Sequence, residues 1–170
     1  MNFAKINKND IANGVGVRVT LFVSGCTHHC KGCFNQEAWD FGYGEPFSED
    51  TENELLEALS PSYIKGLTLL GGEPMEPQNQ RVLVGFLEKV KQQFPNKSIW
   101  CYSGYTFEEL TGKSRARCEV TDRMLSYIDV LVDGKFVEEL KDISLRFKGS
   151  SNQRLIDLLR DLQECTHHLL

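Results

Sequence analysis

Four short apolar runs, each closed by a loop of glycine or ionisable residues, constrain this chain more than any other feature. After the turn signal Asn13-Gly14-Val15-Gly16, Val17, Val19, Leu21 and Val23 alternate with Arg18, Thr20, Phe22 and Ser24, which predicts a first strand. Gly66-Leu67-Thr68-Leu69-Leu70, Ser98-Ile99-Trp100-Cys101-Tyr102 and Ile128-Asp129-Val130-Leu131-Val132 read as three more buried strands. Helical patterns lie between them. Ser48 caps a helix with Leu55, Leu56 and Leu59 on its inner face, and Pro61 stops it. Leu83, Phe86, Leu87, Val90 and Phe94 recur at helical spacing within residues 80–94, and Thr106 with Glu109 forms a capping box for a further short helix. Such alternation predicts βαβ units, hence a parallel sheet with helices outside it. A closed eight-stranded barrel takes roughly 250 residues, and this chain has 170. The expected fold is therefore α/β, a single-domain open and incomplete parallel (β/α) barrel.

The remaining segments carry weaker signals. Residues 35–47 read as loop with room for one helical turn, and residues 112–121 as a surface insertion or disordered loop, while residues 137–148 give no clear pattern. Leu155, Ile156, Leu159 and Leu162 predict a helix over residues 152–164. Cys165-Thr166-His167-His168 echoes Cys26-Thr27-His28-His29 and is given no role.

In parallel α/β architectures ligands collect beyond the carboxyl ends of the strands. The segments at the ends of the four predicted strands are the loop from Cys26 to Cys33, Gly71-Gly72-Glu73-Pro74, Tyr102-Ser103-Gly104 and Asp133-Gly134-Lys135. All four fall on one rim. Cys26, Cys30 and Cys33 stand in the order C-x3-C-x2-C. Thiolates are the usual ligands of iron-sulfur clusters, and three of them leave one iron of a four-iron cube without a protein ligand. Zinc is the alternative, with His28 or His29 as the fourth ligand. Four ligands inside eight residues would, however, tie the loop to no distant segment. Cys101, Cys118 and Cys165 are scattered and read as thiols without a metal role.

A net charge of −5 with dispersed basic residues argues against nucleic-acid binding. The N-terminus lacks the apolar core of a signal peptide, and no stretch reaches membrane-spanning length. The expectation is a cytoplasmic protein whose cysteines are ligands or buried thiols, not disulfides.

The cysteine loop followed by Gly71-Gly72-Glu73-Pro74 resembles the paired signatures of the radical S-adenosylmethionine (SAM) superfamily. Further segments resemble one branch of it, the activating proteins of anaerobic ribonucleoside-triphosphate reductases. They are Asp10-x2-Asn13-Gly14-x-Gly16-x-Arg18, Phe22-Val23-Ser24-Gly25-Cys26, Gly32-Cys33-Phe34-Asn35, Pro77-Gln78-Asn79, Val132-Asp133-Gly134-Lys135-Phe136 and Gly149-Ser150-Ser151-Asn152-Gln153. In the wider superfamily an aromatic residue commonly precedes the third cysteine. Here Gly32 precedes it and Phe34 follows, as is usual in that branch.

The resemblance implies a barrel of the radical SAM type and covers an activase domain over residues 1–154, while the C-terminal helical tail over residues 155–170 departs from it. It implies one [4Fe-4S] cluster on Cys26, Cys30 and Cys33, and SAM as cosubstrate near Gly32, Phe34, Gly72, Glu73, Asp133 and Lys135, with no catalytic residue beyond cluster and SAM. Glu73 would meet the methionine ammonium through its carbonyl or its carboxylate, and Phe34 would pack on the adenine. For Asp133 and Lys135 the alternative is an Asp-Gly turn with a solvated lysine. The implied activity is an oxidoreductase one: reductive cleavage of SAM to methionine and a 5′-deoxyadenosyl radical, which takes a hydrogen from a glycine of the large reductase subunit. Reduced flavodoxin would supply the electron. A homodimer within a heterotetramer is compatible with this, and Arg18, Trp39, Phe41 and Tyr43 are candidate contacts with the reductase. An iron-sulfur electron-transfer protein and a zinc-stabilised interaction module are the alternatives.

Overall fold

The computed structural model describes residues 1–158. The elements in chain order are β1 (Asn2–Asp10), β2 (Val17–Val23), β3 (Glu45–Pro46), α1 (Glu49–Leu59), β4 (Ile64–Gly71), α2 (Pro77–Gln93), β5 (Ser98–Ser103), α3 (Phe107–Thr111), α4 (Thr121–Tyr127), β6 (Val130–Asp133) and β7 (Arg154–Asp157). The strands form one unclosed sheet in the order β3-β1-β2-β4-β5-β6-β7. Its centre, β2-β4-β5-β6, is parallel, as the alternation of strands and helices predicts. Both flanks are antiparallel instead: β1 and β3 on one side, β7 on the other.

Strand side chains alternate between faces, and that period sorts the sheet residues into two environments. Val19, Leu21, Val23, Leu67, Leu69, Ile99, Cys101, Leu131 and Ile156 pack in one core with the inner faces of all four helices, including Leu55, Phe86, Leu110 and Met124. Trp100, Val130, Val132 and Leu155 form a second cluster on the opposite face with Tyr102 and Phe147. Loops cover that second face. Thr68 Oγ1 donates to Asn13 O at 2.7 Å, bringing residues 10–16 over the sheet, while Phe147 packs edge-on against Trp100 at 5.2 Å.

The helical expectation for residues 152–164 is corrected where the structure describes it. Residues 154–157 are a strand paired with β6, because adjacent Leu155 and Ile156 bury on opposite faces, which a strand allows and a helix does not. The rest of that stretch, including Cys165-Thr166-His167-His168, lies outside the described residues. Residues 112–121 are anchored. Ala116 is fully buried, and the Gln80 amide donates to Met75 O and Ala116 O while accepting from Thr121 Oγ1.

Candidate functional site

The cysteine loop leaves β2 and returns over its own root. Gly25 N donates to Ala38 O at 2.7 Å and Cys26 N to Trp39 O at 3.2 Å. The loop after β4 packs directly against that root, with Gly72 N bonded to Val23 O and Glu73 N to Gly25 O, both at 2.8 Å. This contact explains the paired glycines. Gly71 has φ +113°, and a Cβ on Gly72 would lie 2.7 Å from Gly25 O and 2.8 Å from Ala38 O. No side chain fits between the two loops.

Glu73 ties three rim loops together. Its Oε1 lies 2.7 Å from His28 Nε2 and accepts from Gly104 N at 2.6 Å, while Oε2 accepts from Met75 N at 2.8 Å. The start of α2 adds two more ties. Asn79 Nδ2 donates to Ser24 O and to Glu73 O, and Glu76 Oε1 accepts from Thr27 Oγ1 at 2.7 Å and Tyr105 OH at 3.2 Å. His28 completes the cluster by resting edge-on against Tyr105, ring centres 4.4 Å apart.

These loops enclose a cleft of about 410 Å³ whose lining includes Cys26, Cys30, Cys33, Phe34, Gly72 and Glu73. The three thiols are half-buried and free. Burial pushes the Cys26 thiol up to about 11, and burial also raises Cys30. Such thiols stay protonated until a metal takes the proton's place. Among the described residues no three His, Cys, Asp or Glu converge as ligands of a single ion. A tetrahedral zinc gathers its ligands on one atom, whereas a four-iron cube distributes three thiolates over three irons. Three soft sulfur donors, free and lining one cleft, fit the cube.

The structure does not bring every expected residue into the cleft. Asp133 is two residues beyond Leu131 and so points to the helix-facing side. There its carboxylate meets Arg154 at 2.5 Å and accepts from Phe107 N at 2.7 Å. Lys135 borders a separate polar depression with Asp133 and Arg154, and Gly134 between them reaches the cleft. Gly32 faces outward against the Glu138 side chain. Phe34 sits at the cleft mouth, 67% exposed, against Phe136 at 5.4 Å and with the Lys141 ammonium 4.9 Å from its centre.

Arg18, a candidate contact with a partner, is fully buried. Its guanidinium donates to Thr68 Oγ1, Val15 O, Leu67 O and both Ser98 oxygens and lies 5.5 Å from the Trp100 ring. With no carboxylate in contact, burial brings its pKa down to about 10. Sequence reasoning passed over Glu76 and Asn79 as site residues and weighed His28 only as a zinc ligand, whereas it meets Glu73. For Asn79 the Pro77-Gln78-Asn79 signature was the available signal.

Comparison with known families agrees with this donor set. The sequence profile described as a 4Fe-4S single cluster domain matches residues 12–156, so the chain is a member of that iron-sulfur class. A relative from Haemophilus influenzae is 46% identical over 155 residues, covering 90% of this chain and 96% of its own. Those from Escherichia coli K12 and Enterobacteria phage T4 are each 43% identical over 155 residues, covering 90% and 91% of this chain and 96% and 93% of their own. All three bear the name anaerobic ribonucleoside-triphosphate reductase-activating protein, and this chain belongs to that family.

Proposed function

We propose that this protein activates an anaerobic ribonucleoside-triphosphate reductase in the cytoplasm, as a radical SAM enzyme that installs a glycyl radical on the large reductase subunit. The observation that carries the reading is the cleft, lined by three free thiols together with Gly71, Gly72 and Glu73 of the turn after β4. Cys26, Cys30 and Cys33 would hold a [4Fe-4S] cluster. When bound, the cluster supplies one electron, received from a donor such as reduced flavodoxin, for cleavage of SAM into methionine and the 5′-deoxyadenosyl radical that takes the glycine hydrogen.

The chain's own residues bind, orient and exclude water. Gly71 and Gly72 leave backbone on the cleft wall. Glu73 Oε1 already has two partners, and so has its backbone carbonyl, which accepts from Asn79 Nδ2 and Glu76 N, so the remaining capacity lies on Oε2, which can accept once more from a ligand ammonium. Phe34 would cover the mouth of the cleft. Among the described residues no helix is long and apolar enough to cross a membrane.

The test is anaerobic reconstitution with iron and sulfide, then a strong reductant and SAM, with 5′-deoxyadenosine measured by chromatography. Its formation supports the reading. An intact cluster that leaves SAM uncleaved would favour an electron-transfer protein, and stoichiometric zinc without iron an interaction module.

A further inference from the structure

Buried charges are normally paired with an opposite charge or a metal. Two carboxylates are buried against the cysteine loop, Glu73 at 1% exposed and Glu76 at 6%. Glu73 meets His28. Glu76 is different. Among the described residues no Lys, Arg or His lies within ion-pair distance of it, and Arg115, which stands over the Tyr105 ring 5.5 Å from its centre, forms no ion pair with it. Its Oε1 accepts instead from Thr27 N at 3.2 Å, Thr27 Oγ1 at 2.7 Å and Tyr105 OH at 3.2 Å, and its Oε2 has no partner among these residues. Thr27 N belongs to the peptide bond that leaves Cys26, so the carboxylate stands one peptide unit from a cluster ligand. Neither Glu76 nor Thr27 lines the cleft.

We propose that Glu76 tunes the cluster from behind the cysteine loop: its uncompensated charge, held next to Cys26, lowers the reduction potential and makes the reduced cluster a stronger electron donor. This rests on the cluster reading above. Iron-sulfur potentials follow net charge, burial and hydrogen bonding around the ligands. Reduction adds one electron, from a donor such as reduced flavodoxin, and makes or breaks no bond. A fixed negative charge nearby opposes that addition, and does so more strongly away from water. The same charge already acts on Cys26, whose thiol is held up first by burial and also by Glu73 and Glu76.

The test is Glu76→Gln, which keeps an oxygen for Thr27 and Tyr105 and places its NH2 where Oε2 has no partner. The reduction potential of the reconstituted protein, without SAM, is measured by a redox titration followed by electron paramagnetic resonance, beside the iron content. The expected result is reduction favoured about three- to tenfold, a potential about 30–60 mV more positive, with the iron content of the parent. Tyr105→Phe is the control. It removes one tie to Glu76 and leaves the charge, so its potential should stay at or below that of the parent. Equal potentials for Glu76→Gln and the parent would overturn the inference while the cluster reading stands. An equal rise in both variants would mean that a loosened loop, not the charge, sets the potential, and would overturn it as well, as would a Glu76→Gln protein that takes up no iron. If the parent itself takes up no iron and sulfide, the cluster reading falls and this inference with it.

Discussion

His28 and Glu73 come from loops after different strands and meet at 2.7 Å, with side chains only 3% and 1% exposed. The same carboxylate takes the N–H of Gly104 on one oxygen and that of Met75 on the other. An amide at position 73 would turn its NH2 toward one of these backbone donors. Glu73→Gln is therefore expected to lower stability by about 2–4 kcal/mol in urea unfolding. A change within about 0.5 kcal/mol would mean that the rim does not depend on this carboxylate.

Gly72 offers a steric test of the same junction. The added methyl of Gly72→Ala would meet backbone oxygens of Gly25 and Ala38, neither of which can move without moving the cysteine loop. We expect a loss of about 2 kcal/mol or more and poor iron incorporation. Full iron content with unchanged stability would show that the loops are looser than described.

Asp10 gives a pH signature away from the cysteines. Burial acts to raise its pKa, but hydrogen bonds from Thr20, Ala12 and Asn13 outweigh it and the net shift is downward. A folded pKa below the unfolded one gives stability that is intact above about pH 4 and lost as pH falls through the lower folded value. Asp10→Asn should flatten that acid limb of the stability profile. Identical limbs in parent and variant would remove Asp10 from the acid response.

The cysteines divide by position. Cys26→Ala, Cys30→Ala and Cys33→Ala should each abolish iron-sulfide absorption after reconstitution. Cys118→Ala should not, since Cys118 contacts Gln80 and Thr121 instead of the cleft. A Cys118 variant as defective as Cys30→Ala would break the three-ligand assignment.

The central parallel strands and the rim were legible because β2, β4, β5 and β6 carry apolar runs that each end in a distinctive loop. The flanking strands were not. In β1, Phe3 is the one buried apolar residue, Ala4 and Ile6 are partly buried and the rest is polar, so no period-two signal stands out. In β7 the adjacent Leu155 and Ile156, read together with Leu159 and Leu162, match helical spacing in the sequence, and only pairing with β6 sends the first two to separate apolar clusters. Asp133 was assigned to the rim by its place at a strand end. Counting by twos from Leu131 would have turned it to the helices. Arg18 was expected at a partner surface because arginine is favoured at interfaces, and only the fold of residues 10–16 over its face of β2 encloses it.

The central claim is that this chain creates a radical on a protein. The direct measurement is electron paramagnetic resonance on the large subunit of an anaerobic ribonucleoside-triphosphate reductase, after anaerobic incubation with the iron-loaded protein, SAM and a strong reductant. The account predicts a carbon-centred doublet that disappears when the reductase's target glycine is replaced by alanine. Consumption of SAM with no such signal on the reductase would contradict it, and a radical enzyme acting on a small molecule would take its place.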